Sequence, residues 1–314
     1  MKNILITGGL GFLGSYCIEK YSKDGCNIKV IDNLCTNVVG PDYFKDIDLD
    51  IKNVLDHGWD KNEKYDLIVH LASPVGPVGI LKHSGKMAQY IVDDIYWAIE
   101  GALTNNCPLI FISTSEVYGF RDKAERLKEE DKKLLVGDYK VRNEYSTAKL
   151  LCEIILDNTA KVSNLKYQIL RPFNISGARQ LRDGGFVLPT FVQQALNNED
   201  ITVFGDGEQV RAFTHVRDIV DGIYLVSKTD KMNQIWNVGT PDNVSTIQYM
   251  AERVIEFTKT ESKIIHVDPK TIHGDLYEEA WDKIPESTKI QEELGWKSTY
   301  SVNEIIKEVI KYYE

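Results

Sequence analysis

The chain opens on Lys2-Asn3-Ile4-Leu5-Ile6-Thr7-Gly8-Gly9-Leu10-Gly11-Phe12-Leu13-Gly14, and the reading of this stretch decides the fold. Lys2–Thr7 is a short apolar run of strand type that ends in glycines, and Phe12–Lys23 has the make-up of a helix. Further strand-like runs follow at Asn27–Asp32, Tyr65–Ala72, Pro108–Ser113 and Lys166–Arg171. Between them lie two long helical patterns, Lys82–Leu103 and Asn143–Lys161; in the first, Met87, Tyr90, Ile91, Ile95, Ala98 and Ala102 recur near helical spacing. Short apolar strands alternating with helices predict an α/β fold, a doubly wound parallel sheet covered by helices on both faces. After Phe173 the alternation gives way to loops rich in glycine, asparagine and aspartate, although Asp218–Ser227 reads as a helix and Gln234–Val238 as a strand of the same sheet. The expected division is residues 1–173, with segments returning at about 218–240, as the sheet domain, and 174–314 as a smaller, interleaved C-terminal lobe that binds the substrate.

In this strand–loop–helix setting the glycine loop is a dinucleotide site of the Rossmann kind. Glycines allow a tight turn and close approach to a pyrophosphate, and the helix N-terminus offers free N–H groups with partial positive charge. Asp32 ends the second strand, where a carboxylate accepts hydrogen bonds from a ribose 2′-OH and repels a 2′-phosphate, so NAD is favoured over NADP. The expected cofactor contacts here are Gly8, Gly11, Phe12, Leu13, Gly14, Asp32 and Asn33. The alternative reading of these residues is a glycine turn with Asp32 as a loop cap.

Composition sets the outer limits. The chain has 314 residues, 43% hydrophobic and 27% charged, as in an ordinary soluble globular protein. No run approaches the ~18 apolar residues of a membrane span, and no signal peptide precedes the first strand. The five cysteines (Cys17, Cys26, Cys35, Cys107, Cys152) have no CxxC spacing, so neither a disulfide framework nor a zinc site is expected, and a cytoplasmic location fits. The net charge of −10 disfavours nucleic acid as a partner. The histidines other than His215 (His57, His70, His83, His266, His273) have no metal-ligand spacing.

Two constellations carry chemistry. Tyr145-Ser-Thr-Ala-Lys149 places a phenol and an ammonium one helical turn apart on one face. A free tyrosine titrates near pH ~10, and a neighbouring cation favours the phenolate; Lys149 can also reach a nicotinamide ribose. Upstream, Ser113-Thr114-Ser115-Glu116-Val117-Tyr118-Gly119 directly follows a strand, at the end of a parallel sheet where ligands sit. Thr114 can bond a substrate hydroxyl, and Glu116 can act as a second acid or base. Read alone, the first is surface decoration and the second a Ser/Thr-rich turn with a solvated glutamate.

Taken together and in this order, these motifs resemble the extended short-chain dehydrogenase/reductase family, in its nucleotide-sugar epimerase/dehydratase branch. The resemblance spans nearly the whole chain. His70-Leu71-Ala72-Ser73 resembles the family's cofactor-contacting strand end, which implies cofactor contacts at Leu71, Ala72, Ser73, Ser113, Tyr145 and Lys149. Arg171-Pro-Phe-Asn174 resembles the segment whose asparagine meets the substrate diphosphate. Thr202–Gly207 with Arg211–Asp218 resembles the nucleotide-binding stretch, where Arg211 would contact the diphosphate. Leu294-Gly295-Trp296 resembles the C-terminal signature. Substrate contacts are expected at Ser115, Asn174, Arg179, Arg211 and Val75. The resemblance implies oxidation of a sugar C4 hydroxyl on a nucleoside-diphosphate sugar, with Tyr145 as base, Thr114 holding the hydroxyl, Lys149 tuning Tyr145, and Glu116 serving the following epimerisation, decarboxylation or dehydration. It also implies a homodimer or higher oligomer built on the two long helices.

Thr114-Ser115-Glu116 resembles UDP-glucuronate decarboxylases best, whereas 4,6-dehydratases carry aspartate in place of Ser115. Lys283-Ile-Pro285 stands where those decarboxylases have an arginine, and a lysine is a point charge without the bidentate fork. A simple 4-dehydrogenase releasing a 4-keto sugar nucleotide, such as an NDP-heptose, is therefore the alternative within the enzyme class. An NAD-sensing regulator on the same fold is the alternative outside it. Ser73–Gly79 departs from the family pattern and is expected to line the sugar site. His215 is expected as a polar wall residue, and the charge run Glu125–Lys133 as a solvated loop or helix face.

Overall fold

Seven strands make the central sheet: β1 (Asn3–Thr7), β2 (Asn27–Asp32), β3 (Asp48–Ile51), β4 (Leu67–His70), β5 (Leu109–Ile112), β6 (Tyr167–Pro172) and β7 (Gln234–Val238). The computed structural model describes residues 1–60, 62–121, 125–134, 139–280 and 282–314. The strands run in the order β3-β2-β1-β4-β5-β6-β7, and every neighbouring pair is parallel. Strand order reverses at β1/β4, so the carboxyl ends of β1 and β4 open the crevice in which doubly wound sheets bind ligands.

Helices cover both faces. On one, α1 (Phe12–Lys23) packs with a helix at Val216–Val226, joining Cys17, Ile18 and Tyr21 to Ile219, Ile223 and Val226. On the other lie α2 (Gly76–Lys82), α3 (Met87–Asn105) and α4 (Val141–Val162), with Ile91, Ile95 and Ala98 packed among Ala148, Cys152 and Leu156. The C-terminal lobe has its own core, in which Phe191, Val192, Met250, Val254, Ile305 and Val309 are buried. Trp296 ties the lobe back to the sheet domain by donating its indole N–H to Asp218 O at 2.7 Å.

Three local differences from the sequence reading have physical causes. The pattern Lys82–Leu103 is continuous helix only from Met87, because Lys82 ends α2 and Gly85 adopts φ +80° before α3. The Ser73–Gly79 segment accordingly supplies the start of α2, with Pro77 in its first turn. Strand β3 escapes a composition reading because its four residues, DLDI, include two aspartates at the sheet edge. The charge run Glu125–Lys133 is only partly solvated: Leu127 is buried, and the Glu129 carboxylate accepts the Asn237 N–H at 2.7 Å.

A buried polar network joins β5, β6, β7 and α4. Arg171 on β6 grips the Glu153 carboxylate of α4 through Nε at 2.9 Å and Nη2 at 2.5 Å. Its Nη1 donates to Tyr118 Oη and to Glu129 O, both at 2.9 Å. Ser113 donates to Glu153 Oε1 at 2.5 Å, and Tyr118 donates to Asn237 Oδ1 at 2.6 Å. Removing one partner of such a pair strands the other charge in low dielectric, which costs about 3–5 kcal/mol. Glu153→Leu is therefore expected to lower unfolding free energy by about that much, read as a drop in the urea midpoint; an unchanged midpoint would show that the pair contributes nothing net.

Candidate active site

The glycine loop is shaped by exclusion. A Cβ at Gly14 would lie 2.1 Å from Gly8 O and 2.6 Å from Gly9 Cα, so only glycine lets α1 start this close to the loop. Gly8 holds φ +67° and faces the Leu71–Ala72 backbone, its hypothetical Cβ 3.0 Å from Ala72 N and Cα. Asp32, buried at the end of β2, accepts the Leu10 N–H at 2.9 Å and the Leu34 N–H at 2.8 Å, pinning the loop to the strand. Thr7 Oγ1 accepts the amides of Leu71 and Ala72, each at 3.1 Å. A cradle that a side chain would fill, with a carboxylate fixed at its rim, fits NAD: Gly8, Gly11, Phe12, Leu13 and Gly14 would face the pyrophosphate, and Asp32 a ribose. Asn33, beside it, is bonded to Asn53 Oδ1 at 2.9 Å.

At the carboxyl end of β5, Thr114 caps a single 3-10 turn, Ser115–Tyr118, by accepting the Glu116 N–H at 3.2 Å. Facing it, α4 presents Tyr145 and Lys149, both buried. Tyr145 is hydrogen-bonded to Thr114. Burial, with the Glu116 charge nearby, pushes the Tyr145 phenol well above its ordinary value, against the opposing pull of the Thr114 bond and Arg142. In this state the phenol is a proton donor. The Lys149 ammonium donates to Ile112 O at 3.0 Å and lies 4.7 Å over the Phe111 ring. Burial pulls Lys149 down to about 8, against Cys152, Asp94 and Glu153.

Glu116 is the electrostatic centre. Its Oε1 meets the Lys283 ammonium and, at 3.2 Å, Arg142 Nη1, while Lys283 and Arg142 are themselves buried. Burial alone would raise the Glu116 carboxyl, but the two cations outweigh it and hold the group ionised, well below the usual carboxylate range. Among the described residues, Glu116 Oε2 and Arg142 Nε are buried without a hydrogen-bond partner, which leaves an acceptor on the carboxylate and a donor on the guanidinium. The sequence reading missed Arg142; its signal was the position three residues before Tyr145, on the same helical face.

The remaining expected residues divide. Ser115 is buried in the 3-10 turn, and Ser113 is committed to Glu153. Ser73 donates to Pro74 O at 3.4 Å, and Val75, 43% exposed, precedes α2. Asn174, at φ +33°, lies beside Ala212 and bonds its carbonyl at 3.5 Å. Arg211 is held by Glu279 at 2.8 Å and Asp282 at 3.1 Å. Arg179 lies apart from Arg211, against α1, where it bonds Ser15 Oγ at 3.2 Å and packs 4.4 Å over the Tyr16 ring. His215 is a buried cap: Nδ1 accepts the Arg217 N–H at 3.1 Å, and the ring stacks on Tyr300.

The sequence model of the NAD dependent epimerase/dehydratase family matches residues 4–239. The chain belongs to that family. It is 32% identical to a UDP-N-acetyl-alpha-D-glucosaminuronate decarboxylase of Bacillus cytotoxicus, over 99% of this chain and 98% of the relative. It is 28% identical to UDP-glucuronic acid decarboxylase 1 of Xenopus tropicalis, over 99% of this chain and 72% of that one. Among solved structures, UDP-glucose 4-epimerase of Thermotoga maritima with UDP-glucose superposes at TM-score 0.86 with 25% identity, over 99% of this chain and 98% of that one. This member of the family is an NAD-dependent enzyme of the nucleotide-sugar-modifying class, with the parallel Rossmann sheet of its relatives.

Lys149 gives a signed pH test. Its folded value of about 8 lies below the ordinary 10.5, so the native state holds fewer protons than the unfolded one between those values. Stability then rises with pH across that window. Melting temperatures of the wild type and Lys149→Met, followed from pH ~7 to ~10, are expected to diverge in favour of the wild type as pH climbs; parallel curves would refute the buried ammonium.

Proposed function

We propose that the chain decarboxylates a nucleoside-diphosphate uronate after oxidising it at C4. The observation that carries this reading is the buried Glu116 carboxylate flanked by Lys283 and Arg142, beside Thr114 and Tyr145. Its relatives among UDP-uronate decarboxylases support the same outcome. NAD, when bound, supplies the oxidising and reducing power at the sugar carbon. Thr114 and Tyr145 hold the C4 oxygen; the Tyr145 phenol first gives its proton to solvent, which the positive charge of a bound nicotinamide would favour, and the phenolate then takes the C4 hydroxyl proton and later returns it. A C4 ketone makes the C5 carboxylate a β-keto acid. The C5–carboxyl carbon bond breaks, carbon dioxide leaves, and the electron pair passes to the C4 oxygen, where the Tyr145 phenol and Thr114 hydroxyl donate hydrogen bonds. Solvent then supplies a proton to C5, in the place the carboxyl group left, while the Tyr145 proton is kept for the C4 oxygen. Lys283 and Arg142 together make the neighbourhood cationic enough to admit a second anion, and the fixed Glu116 charge favours its departure as neutral carbon dioxide. Arg142 adds a guanidinium beside the point charge of Lys283, its Nη1 facing Glu116 and its Nη2 donating to Glu278 O at 3.0 Å. The lobe 174–314 would carry the nucleotide, with Asn174 and Arg211 toward the diphosphate and Ser115, Val75 and Arg179 as further contacts.

Mass spectrometry of products from a panel of UDP-, GDP- and dTDP-sugars tests this reading. Loss of carbon dioxide from a uronate is expected, and Tyr145→Phe is expected to lower kcat by about 10²–10⁴-fold while still binding NAD. A product short of only two hydrogens, with reduced cofactor accumulating, would establish the 4-dehydrogenase reading instead.

We also infer a homodimer in a reducing, cytoplasmic setting. All five cysteines are free. The α3–α4 pair leaves Tyr96, Leu151 and Ile154 exposed at 56%, 43% and 49%, a face suited to a second copy. Light scattering should give a dimer, converted to monomer by Leu151→Glu with Ile154→Glu; a monomeric wild type would rule the dimer out.

A further inference from the structure

His70 ends β4 fully enclosed, 2% exposed, between the glycine loop and Lys149. Its Nδ1 lies 2.9 Å from Thr7 Oγ1. The direction of that bond follows from counting. A hydroxyl has two lone pairs and one proton. Both lone pairs of Thr7 Oγ1 are taken by the Leu71 and Ala72 amides. The remaining proton can only be donated, so His70 Nδ1 accepts it and the ring proton resides on Nε2. The ring is therefore neutral. Its surroundings favour that state: it stacks on Phe111, centroids 6.2 Å apart and planes 15° apart, and the same Phe111 ring carries the Lys149 ammonium at 4.7 Å. Burial, reinforced by the Lys149 charge, also drives the ring's basicity far below the ordinary histidine value.

We propose that His70 is a positioning residue for the cofactor: by accepting the Thr7 proton through Nδ1, it leaves the Thr7 oxygen facing the Leu71 and Ala72 amides and so fixes the backbone that closes over Gly8. That backbone is the wall against which Gly8 has space only for a hydrogen. Through Phe111, the same ring sets the floor beneath Lys149. A histidine protonated at Nδ1 would present a donor to a donor, turn the Thr7 hydroxyl and release one of the two amides.

Two substitutions separate this role from simple filling of the core. Asn places Oδ1 where Nδ1 was and preserves the acceptor; Leu preserves bulk and removes it. NAD titrated calorimetrically into cofactor-stripped protein is expected to bind His70→Leu about tenfold or more weakly than wild type. His70→Asn is expected to stay within about threefold. Amide exchange at Leu71 and Ala72 should quicken in His70→Leu while the other strands stay protected. Equal losses in both variants, or wild-type affinity in His70→Leu, would overturn the proposal. Should His70→Leu fail to fold, nitrogen-15 histidine spectra of the wild type decide the matter. An unprotonated Nδ1 and a protonated Nε2, unchanged down to mildly acid pH, are expected; a proton on Nδ1 would refute the assignment.

Discussion

The Arg171–Glu153 pair is the constraint on which the active site depends. Both groups are almost fully enclosed, and they meet as an ion pair at 2.5 Å. Glu153 lies on the same helix as Tyr145 and Lys149, at successive intervals of four residues, so all three share one stripe of α4. Anchoring Glu153 to β6 therefore fixes the rotation of the helix about its own axis. Ser113 and Tyr118, bonded to the same two groups, fix both ends of the Thr114–Glu116 turn. The interaction need not add net stability to be indispensable. It specifies which face of α4 looks at the carboxyl end of β5.

With that geometry set, electrostatics makes the site selective. Burial acts on every ionisable group there, and it acts against charge. Tyr145 and Lys149 yield toward neutrality. Glu116 does not, because two buried cations face it. A site of this kind holds one permanent anion among partners that can change protonation. That is suited to chemistry in which a substrate charge is consumed, and less suited to a reaction that leaves charge unchanged.

Much of this was legible in the residues. The glycine loop, Asp32, Thr114, Tyr145 and Lys149 are carried by local spacing, and β1, β2 and β7 by short, largely apolar runs. What was not legible depended on long-range partners. Arg142 and Lys283 meet at Glu116 although Lys283 is 167 positions from it. Ser113 donates its hydroxyl to Glu153, 40 positions away, a pairing that local spacing does not announce. Glu129 reads as part of a solvated charge run until Asn237, 108 positions away, is found bonded to it. Strand β3 was hidden because edge position tolerates aspartates that a central strand would exclude.

The late arrival of β7 has a consequence for how the protein is made. The strand beside β6 comes from Gln234–Val238, after much of the C-terminal lobe has emerged. Until then β6 is an open edge, Tyr118 lacks Asn237, and Gln168 lacks the indole of Trp236. The cofactor-binding half is thus not an autonomous unit during synthesis. Its last strand follows residues 174–233, part of which packs in the C-terminal core, so the sheet cannot be completed before much of that region has been made.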